Sequence, residues 1–397
     1  MAEYTPEFKP VLRYVDAIPS EYQGQPVLLL RDPLGFVEEL VLVPQSMAFV
    51  LSLMDGEHDL RDIQTQATKQ FGTLIPMEEI VNVVKFLDEK GLLWSENFEK
   101  IKEKAYEKWF SYPFKPMAHA GQAYPPEKDQ AEEFLNELLG VAQVEEEECP
   151  KVLVVPHIDL RAGAEAYAKG YKRFKPVEGS RIILIGVGHH LDLPYSVLTK
   201  DIATPFGMVK NDKGGVFYLS QSKKVELFPD HIAHKLEHSL EFQCLFLGHL
   251  LKDGFVVLPI LMGPILAVKH DPKIMDSFAH ALADLIDEQT YVILAIDFCH
   301  LGLRYGDRFE VTEAHVNQAL DLDKKLFQGV TQNTPEEFLE LAEQTFSMKV
   351  CGITCLYLLN QIFKYLNVSP EGKIFHQEAI PFGKGSIVSV MAAGWYF

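Results

Sequence analysis

From Lys151 to the C-terminus the chain contains five continuous apolar runs, each about as long as a β-strand. Segments with helical spacing of apolar residues separate the first four runs. An uninterrupted apolar run fits a strand that is buried on both faces, and intervening helices are what cover such a sheet. The pattern predicts an α/β domain with strands over Val152–Val155, Ile182–Val187, Phe255–Met262, Tyr291–Ile296 and Ser386–Ala392.

Polar residues follow three of these runs directly. His157 comes after the first run, His189 and His190 after the second, and Asp297 and His300 after the fourth. Ligands of α/β sheets bind beside the carboxyl ends of the strands. We therefore expect these imidazoles and the carboxylate to meet at one edge of the sheet and to form a transition-metal site.

Cys351 is the leading candidate for a third metal ligand. It precedes Gly352, Ile353 and Thr354 at the start of a helical stretch. A helix N-terminus favours the thiolate, which is the form that binds metal. Imidazole binds zinc, copper and iron, and a thiolate shifts the preference toward softer metals. Cys355, one turn later on an apolar face, is expected to be part of the core.

The segment His234–Leu251 is predicted to be a helix with Glu237, His238 and Glu241 near its start. The two carboxylates are one turn apart and share a face, and His238 lies beside them. Two interpretations stay open. The three side chains form either an exposed polar face or an outer layer that orients the imidazoles or a substrate.

The N-terminal part of the chain, up to Trp94, has the pattern of a separate small module. Two apolar runs, Val27–Leu30 and Leu40–Val43, flank the turn signal Asp32-Pro33-Leu34-Gly35, which predicts a hairpin. Helices are expected over Ser46–Leu53, over Leu60–Phe71 with Asp59 as cap, and from Pro76 to Gly91, with a last strand at Leu92–Trp94. Three short helices with β ribbons make a winged-helix-like module.

Charge and cysteine content narrow the classes of function. Acidic residues exceed basic residues by 19, which argues against non-specific binding to nucleic acid or anionic lipid. The five cysteines fit a reducing compartment better than a disulfide framework. No apolar run approaches the length of a membrane span and no signal-peptide pattern is present, so we expect a cytoplasmic protein.

Two segments of the N-terminal module, LMDGEHDLRDIQTQA and VVKFLDEKGLL, carry a resemblance. Residues 27–94 resemble the PqqD-like winged-helix peptide-recognition domains of modified-peptide pathways. The resemblance implies that a peptide adds as a strand to the ribbon and lies against the third helix, so that main-chain hydrogen bonds give affinity. A structural or dimerising module is the alternative.

A second resemblance covers residues 115–397. It rests on ordered motifs that include VPHIDLRAGAEAYAKGY, ILIGVGHHLDL, EHSLEFQCLFL, AIDFCHLG and VCGIT. These motifs resemble the Memo family, the protein B that many prokaryotes encode with a radical-SAM enzyme in the AmmeMemoRadiSam system. The resemblance implies the fold of class III extradiol dioxygenases, a mixed central sheet flanked by helices.

The Memo resemblance also implies roles for individual residues. It assigns iron or copper to His157, His189 and Cys351, with zinc an alternative in purified protein. His300 stands where the dioxygenases keep an acid/base histidine. The candidates for catalysis are His300, Asp297 and His190.

The motif around His157 departs from the pattern of many relatives. Those relatives have Pro-His-Ala-Gly-Tyr where this chain has PHIDLRAG, so Asp159 and Arg161 add charge at the mouth of the site. Both residues are candidates for contacting substrate. Arg161 either binds a carboxylate or phosphate or pairs with Asp159.

Two hypotheses of function follow from these patterns. The first is an iron- or copper-dependent oxidoreductase that acts with a radical-SAM partner on a small molecule or peptide. The second is a non-enzymatic protein whose N-terminal module captures a peptide or a radical-SAM enzyme and whose C-terminal pocket serves only recognition. The expected domains are a winged-helix module at 1–98, a connector at 99–116 and a Memo-like domain at 117–397.

Overall fold

A computed structural model describes residues 4–145 and 148–397 of the chain. Contacts between residues divide the chain into two compact units, Met1–Tyr112 and Pro113–Phe397. Each unit has its own hydrophobic core. In the part of the chain that the structure describes, no helix is both long enough and apolar enough to cross a membrane.

The first unit combines a small antiparallel sheet with four helices. The sheet has the strand order β1-β2-β3, and its hairpin β2–β3 confirms the predicted one. The three expected helices are present, and a fourth follows them. The elements are β1 (Asp16–Tyr22), β2 (Gln25–Arg31), β3 (Val41–Pro44), α1 (Met47–Ser52), α2 (Leu60–Phe71), α3 (Met77–Glu89) and α4 (Glu96–Ser111).

Local sequence patterns predict both ends of α2 correctly, but they fail at Leu92–Trp94 and at β1. Asp59 and Asp62 cap the start of α2 reciprocally, and Gly72 ends it in the left-handed conformation, as the sequence predicts. The strand predicted at Leu92–Trp94 is wrong, because this segment forms only a single bridge, from Leu93 to Leu12. Strand β1 was not predicted, because its residues are almost all exposed and form no apolar run.

The outer edge of β1 is exposed but interrupted. Gln23 and Gly24 both have positive φ and form a two-residue turn, so the flanking pair Tyr22 and Gln25 is hydrogen-bonded. Along an antiparallel pair of strands, residues that are hydrogen-bonded to the partner strand alternate with residues that are not. Counting from Tyr22, the N–H and C=O positions of every second residue of β1, including Pro19, therefore face away from β2. Since proline has no N–H, the outer edge lacks one donor in its middle.

The second unit is larger and alternates strands with helices. Its elements are β4 (Phe114–Lys115), α5 (Lys128–Gly140), β5 (Val152–Val155), α6 (Ala164–Tyr171), β6 (Ser180–Val187), β7 (Tyr195–Val197), β8 (Asp201–Thr204), β9 (Gly207–Val209), α7 (Lys213–Gln221), α8 (His238–Leu251), β10 (Phe255–Met262), α9 (Ile265–His270), α10 (Pro272–Ala283), β11 (Thr290–Ala295), β12 (His300–Gly302), α11 (Glu313–Gln332), α12 (Pro335–Gln344), α13 (Ile353–Leu366), β13 (Glu371–Pro381) and β14 (Ser386–Tyr396).

These strands form a mixed central sheet, which confirms the predicted fold class at this level. The order is β12-β14-β5-β11-β6-β10-β7, and β13 pairs with β14. Strands β5, β11, β6 and β10 are parallel to one another, whereas β14 and β7 are antiparallel to their neighbours. All five predicted apolar runs lie in this sheet. A second, smaller sheet has the order β4-β8-β9.

Helices cover both faces of the central sheet. Val152 and Val154 of β5 pack in one core with α10, α11 and α13. Leu153 and Val155 point the other way, toward α6 at Gly170. Because both faces are buried, polar side chains of the parallel strands have room only at the strand ends.

Candidate metal centre

The carboxyl ends of β5 and β6 bring two histidines together. His157 follows β5 and is 2% exposed, and His189 follows β6. Both strands flank β11, so their ends lie one strand apart on the same edge of the sheet. The centroids of the two imidazole rings are 5.0 Å apart. The structure thus places together the two histidines that the sequence suggested as metal ligands.

A third imidazole, that of His238, completes the cluster. Its ring centroid lies 5.3 Å from that of His157 and 4.9 Å from that of His189. One nitrogen from each ring lies within 4.8 Å of the other two, so the three side chains could hold a metal ion. The sequence placed His238 only in an outer layer or on an exposed face.

A break in the chain puts His238 in this position. The single helix predicted over His234–Leu251 is wrong at its start, since a short 3₁₀ segment at Ile232–Lys235 ends before α8 begins. Glu237 caps α8, and its carboxylate accepts the backbone N–H groups of His238 and Ser239. His238 is therefore the first helical residue, and its ring projects toward the sheet edge.

Glu237 orients two of the three imidazoles. Its carboxylate oxygens lie 3.1 Å from Nδ1 of His189 and 3.1 Å from Nδ1 of His238. A hydrogen bond from Nδ1 of His189 leaves its Nε2 free to act as a ligand. Burial would raise the pKa of Glu237, but the two imidazoles hold it well below its usual range. Burial likewise acts to lower the pKa of His189, and Glu237 outweighs this effect and raises it.

His157 is held in the form that binds metal. Its Nδ1 lies 2.9 Å from the carbonyl oxygen of Ala295 and donates to it, so Nε2 carries the free lone pair. Burial lowers the pKa of His157 to about 4, which keeps the ring neutral near pH 7. The backbone N–H groups of His157 and Ile158 donate to Oδ1 of Asp297, which fixes the loop after β5.

Cys351 lies at the margin of the cluster. Its Sγ is 3.5 Å from Nε2 of His157 and 3.2 Å from the carbonyl oxygen of Asp297. Burial, and then the Asp297 carboxylate, raise the pKa of the Cys351 thiol well above its ordinary value. The expected preference for the thiolate is therefore outweighed. The helix begins two residues later, with Gly352 as its cap.

Gly352 permits this approach of Cys351 to the sheet. A Cβ atom at position 352 would lie 2.5 Å from Cβ of Ile296, at the end of the central strand β11. No side chain fits at that separation, so only glycine lets the start of α13 come this close to the sheet.

His300 lies beside the cluster rather than in it. Its Nδ1 is 2.9 Å from the carbonyl oxygen of Phe298 and 3.1 Å from that of Lys349, so Nδ1 is the donor and Nε2 the acceptor. Burial lowers the pKa of the His300 imidazole. His190 is half-buried and does not belong to the group of three imidazoles.

The remaining sequence candidates have other surroundings. The Asp159 carboxylate accepts the backbone N–H groups of Arg161 and Ala162, as in an Asx turn, and the Arg161 guanidinium lies over the ring of Phe134. Asp159 and Arg161 are both exposed. Asp159 and Arg161 are therefore better placed to contact a compound at the surface of the unit than to coordinate a metal.

Glu241 belongs to a separate buried cluster. Its carboxylate pairs with the ammonium group of Lys115, accepts the backbone N–H groups of Ala118 and His119, and accepts the hydroxyl of Tyr124 at 2.8 Å. It anchors the segment before α5, and none of its hydrogen bonds or ion pairs among the described residues reaches the three clustered imidazoles, so the orienting role suggested for it by the sequence falls to Glu237 alone. The sequence interpretation missed the partner, Lys115, because 126 residues separate the two in the chain.

The fold and this cluster define an α/β protein with a mixed central sheet and three imidazoles at its carboxyl edge. Residues 115–389 match the family model described as Memo-like protein, which covers most of the chain. The chain belongs to the Memo-like family. The family was expected from the sequence motifs, and the match confirms it.

Curated relatives agree with this assignment. A MEMO1 family protein of Aquifex aeolicus is 32% identical over 371 residues, which cover 92% of this chain and 94% of that protein. A MEMO1 family protein of Thermus thermophilus is 30% identical over 72% of this chain and 84% of its own length. Protein MEMO1 of Mus musculus is 25% identical over 68% of this chain and 96% of its own length. The alignment with the Aquifex protein is too long to be confined to the second unit.

Proposed function

We propose that the second unit is a non-haem metal centre of an oxidoreductase, with iron or copper held by His157, His189 and a third ligand. The three imidazole nitrogens within 4.8 Å of one another are the observation that carries the proposal. The donor set fits such a metal, because Ala295 fixes Nδ1 of His157 and Glu237 faces Nδ1 of the other two imidazoles. We also propose that the second unit has the fold of the class III extradiol dioxygenases.

A metal bound by three protein ligands supplies a Lewis-acidic, redox-active centre with open positions for oxygen or substrate. His300 is proposed as the acid/base group next to it. Its Nδ1 proton is committed to two carbonyl oxygens, so Nε2 can accept a proton from a bound compound and return it. The lowered pKa of His300 keeps Nε2 unprotonated near neutral pH.

The third ligand is proposed to be either His238 or Cys351. The nitrogen of His238 lies within 4.8 Å of both other imidazole nitrogens, which favours a three-histidine site. The sulfur of Cys351 lies 3.5 Å from Nε2 of His157, and a cation there would favour the thiolate that burial opposes.

Metal content decides between these ligand sets. The full chain is purified without oxygen, and bound iron, copper and zinc are measured by mass spectrometry for the wild type and for His157→Ala, His189→Ala, His238→Ala and Cys351→Ser. His190→Ala is the matched control, since His190 neighbours His189 but lies outside the cluster. We expect stoichiometric metal in the wild type and the control, and loss in the first two variants. Unchanged metal in both His157→Ala and His189→Ala would refute the proposal.

A second proposal concerns the first unit, as a PqqD-like winged-helix module for a peptide or for a radical-SAM partner. The exposed outer edge of β1 favours it, because a peptide strand could add there. The break at Pro19 limits this edge to two short stretches, around Ala17 and Glu21.

The full chain tests this second proposal by co-purification with a radical-SAM enzyme of the same organism and by titration with a panel of synthetic peptides. Ala17→Pro would remove another outward N–H and weaken a peptide bound by strand addition, whereas Ala17→Ser would not. Equal binding by both variants, or no binding by the wild type, would exclude this role for β1.

A further inference from the structure

A cavity of about 340 Å³ opens beside the imidazole cluster. It lies where the ends of β6 and β10 meet the start of α9 and the segment before α13. His189 and Cys351 form part of its wall, so a compound in the cavity would reach the cluster directly. The volume falls within the range of small-molecule sites, which is roughly 300–1,000 Å³.

The wall of this cavity is mainly hydrocarbon and well packed. Six of its apolar side chains are each less than one tenth exposed, whereas Phe346, at its rim, is 44% exposed. Side chains packed this tightly lose little further freedom when a ligand binds against them. The six are Val187, Leu191, Met262, Ile265, Val350 and Ile353.

The charge in the cavity wall is already neutralised. Lys349 is a wall residue, but its ammonium group lies 2.6 Å from Oδ1 of Asp307. The hydroxyl of Thr345 donates to the carbonyl oxygen of Ala342 at 2.7 Å. A charged group buried in this cavity would therefore meet no unpaired counter-ion among the described wall residues, and burying it would be unfavourable.

We propose that this cavity binds an uncharged, carbon-rich compound whose single oxygen-containing group faces His189 and Cys351. An apolar cavity of about 150 Å³ is enough for benzene, so the space here accommodates a substituted ring or a comparable aliphatic chain. The orientation of the oxygen-containing end rests on the proposed metal centre. The preference for an uncharged body rests on the wall alone.

Three phenols with different para substituents test the preference. They are 4-methylphenol, which is neutral, 4-hydroxybenzoate, which is anionic, and tyramine, which is cationic at pH 7. Binding to the full chain is measured by calorimetry and ligand-observed NMR, both after metal loading and after chelation. We expect 4-methylphenol to bind at least tenfold more tightly than either charged phenol after chelation, when the cavity wall alone determines the preference. Equal or tighter binding of a charged phenol to the chelated protein, or no binding of 4-methylphenol in either state, overturns the proposal.

Ile265→Trp locates the binding site. The larger side chain would fill the cavity, so we expect at least a tenfold loss of affinity for 4-methylphenol with unchanged metal content. The matched control is Leu266→Trp, because Leu266 is the next residue of α9, is 57% exposed and does not line the cavity. Unchanged affinity in Ile265→Trp overturns the proposal.

If Ile265→Trp does not fold, Ile265→Ala replaces it and should favour 4-propylphenol over 4-methylphenol relative to the wild type; an unchanged ratio overturns the proposal. If the metal-centre proposal is wrong, 4-methylphenol should still bind to the chelated protein. Failure of the metal-centre proposal and failure of the cavity proposal are therefore distinguishable.

Discussion

Two buried carboxylates, one helical turn apart at the start of α8, have opposite kinds of surroundings. Glu241 is enclosed by an ammonium group, two backbone N–H groups and a phenol, so its charge and its lone pairs are satisfied within the fold. Glu237 faces two imidazoles that keep a further nitrogen each for another partner. The surroundings of Glu241 are therefore complete. The imidazoles beside Glu237 each keep one ring nitrogen that can bind another partner, as a binding site requires.

This difference predicts that Glu241 matters chiefly for stability. Glu241→Gln would leave the fully buried Lys115 without its counter-ion, and we expect a loss of about 5 kcal/mol in the free energy of unfolding. Urea denaturation followed by circular dichroism measures it. Adding Lys115→Met to this variant should restore most of the loss. A loss below about 1 kcal/mol would mean that the pair is not a closed structural unit.

A third buried carboxylate, that of Asp323, extends the comparison because its hydrogen-bond partners are neutral. They include the thiol of Cys299 at 3.2 Å and the amide of Gln377 at 3.4 Å. Burial raises the pKa of Asp323 to about 7. Between pH 4 and pH 7 the unfolded chain ionises this group while the folded protein keeps the proton, so stability falls as pH rises through this range.

Asp323→Asn should remove that pH dependence. Over pH 4 to 8 the wild type is expected to lose about 4 kcal/mol more than the variant, from about three pKa units at 1.36 kcal/mol each. Unfolding free energies at several pH values provide the test, with Asp321→Asn, an exposed position on the same helix, as control. Parallel pH profiles for wild type and Asp323→Asn would contradict the expectation.

The smallest of the three effects is a change in the free energy of metal binding, and we expect it on substitution of Glu237. Glu237→Gln keeps a hydrogen-bonding side chain but removes the charge that faces His189 and His238, so metal affinity should fall about 10- to 100-fold. Competition with a chelator of known affinity measures this loss. The folded fraction of Glu241→Gln, by contrast, should bind metal with wild-type affinity. If both variants lose affinity equally, the functional distinction between the two carboxylates is wrong.

Much of the sheet and part of the site follow from local patterns. The apolar runs predicted the strands that lead to His157, His189 and Asp297, because a strand buried on both faces gives a continuous apolar run and polar residues follow its end. The edge strand β1 carries no such pattern. Its place is determined by pairing with β2 rather than by burial of its own side chains.

The role of His238 could not be derived in the same way. Helical spacing runs continuously through the segment before α8, and nothing local shows that the chain breaks before Glu237. The break depends on contacts of Glu237 with His189, 48 residues away. Similarly, the proximity of Cys351 to a helix start was visible in the sequence, whereas the burial that raises the pKa of its thiol was not.

The absence of a side chain at position 352 has a consequence for how this protein can change. Any residue larger than glycine there would push the first turn of α13 away from Ile296, and the sulfur one residue earlier would move with it. The distance between that sulfur and the nearest imidazole nitrogen is thus controlled by a residue that can touch neither. Substitution at this position should therefore separate the thiol from the histidine cluster while leaving every donor atom in the chain.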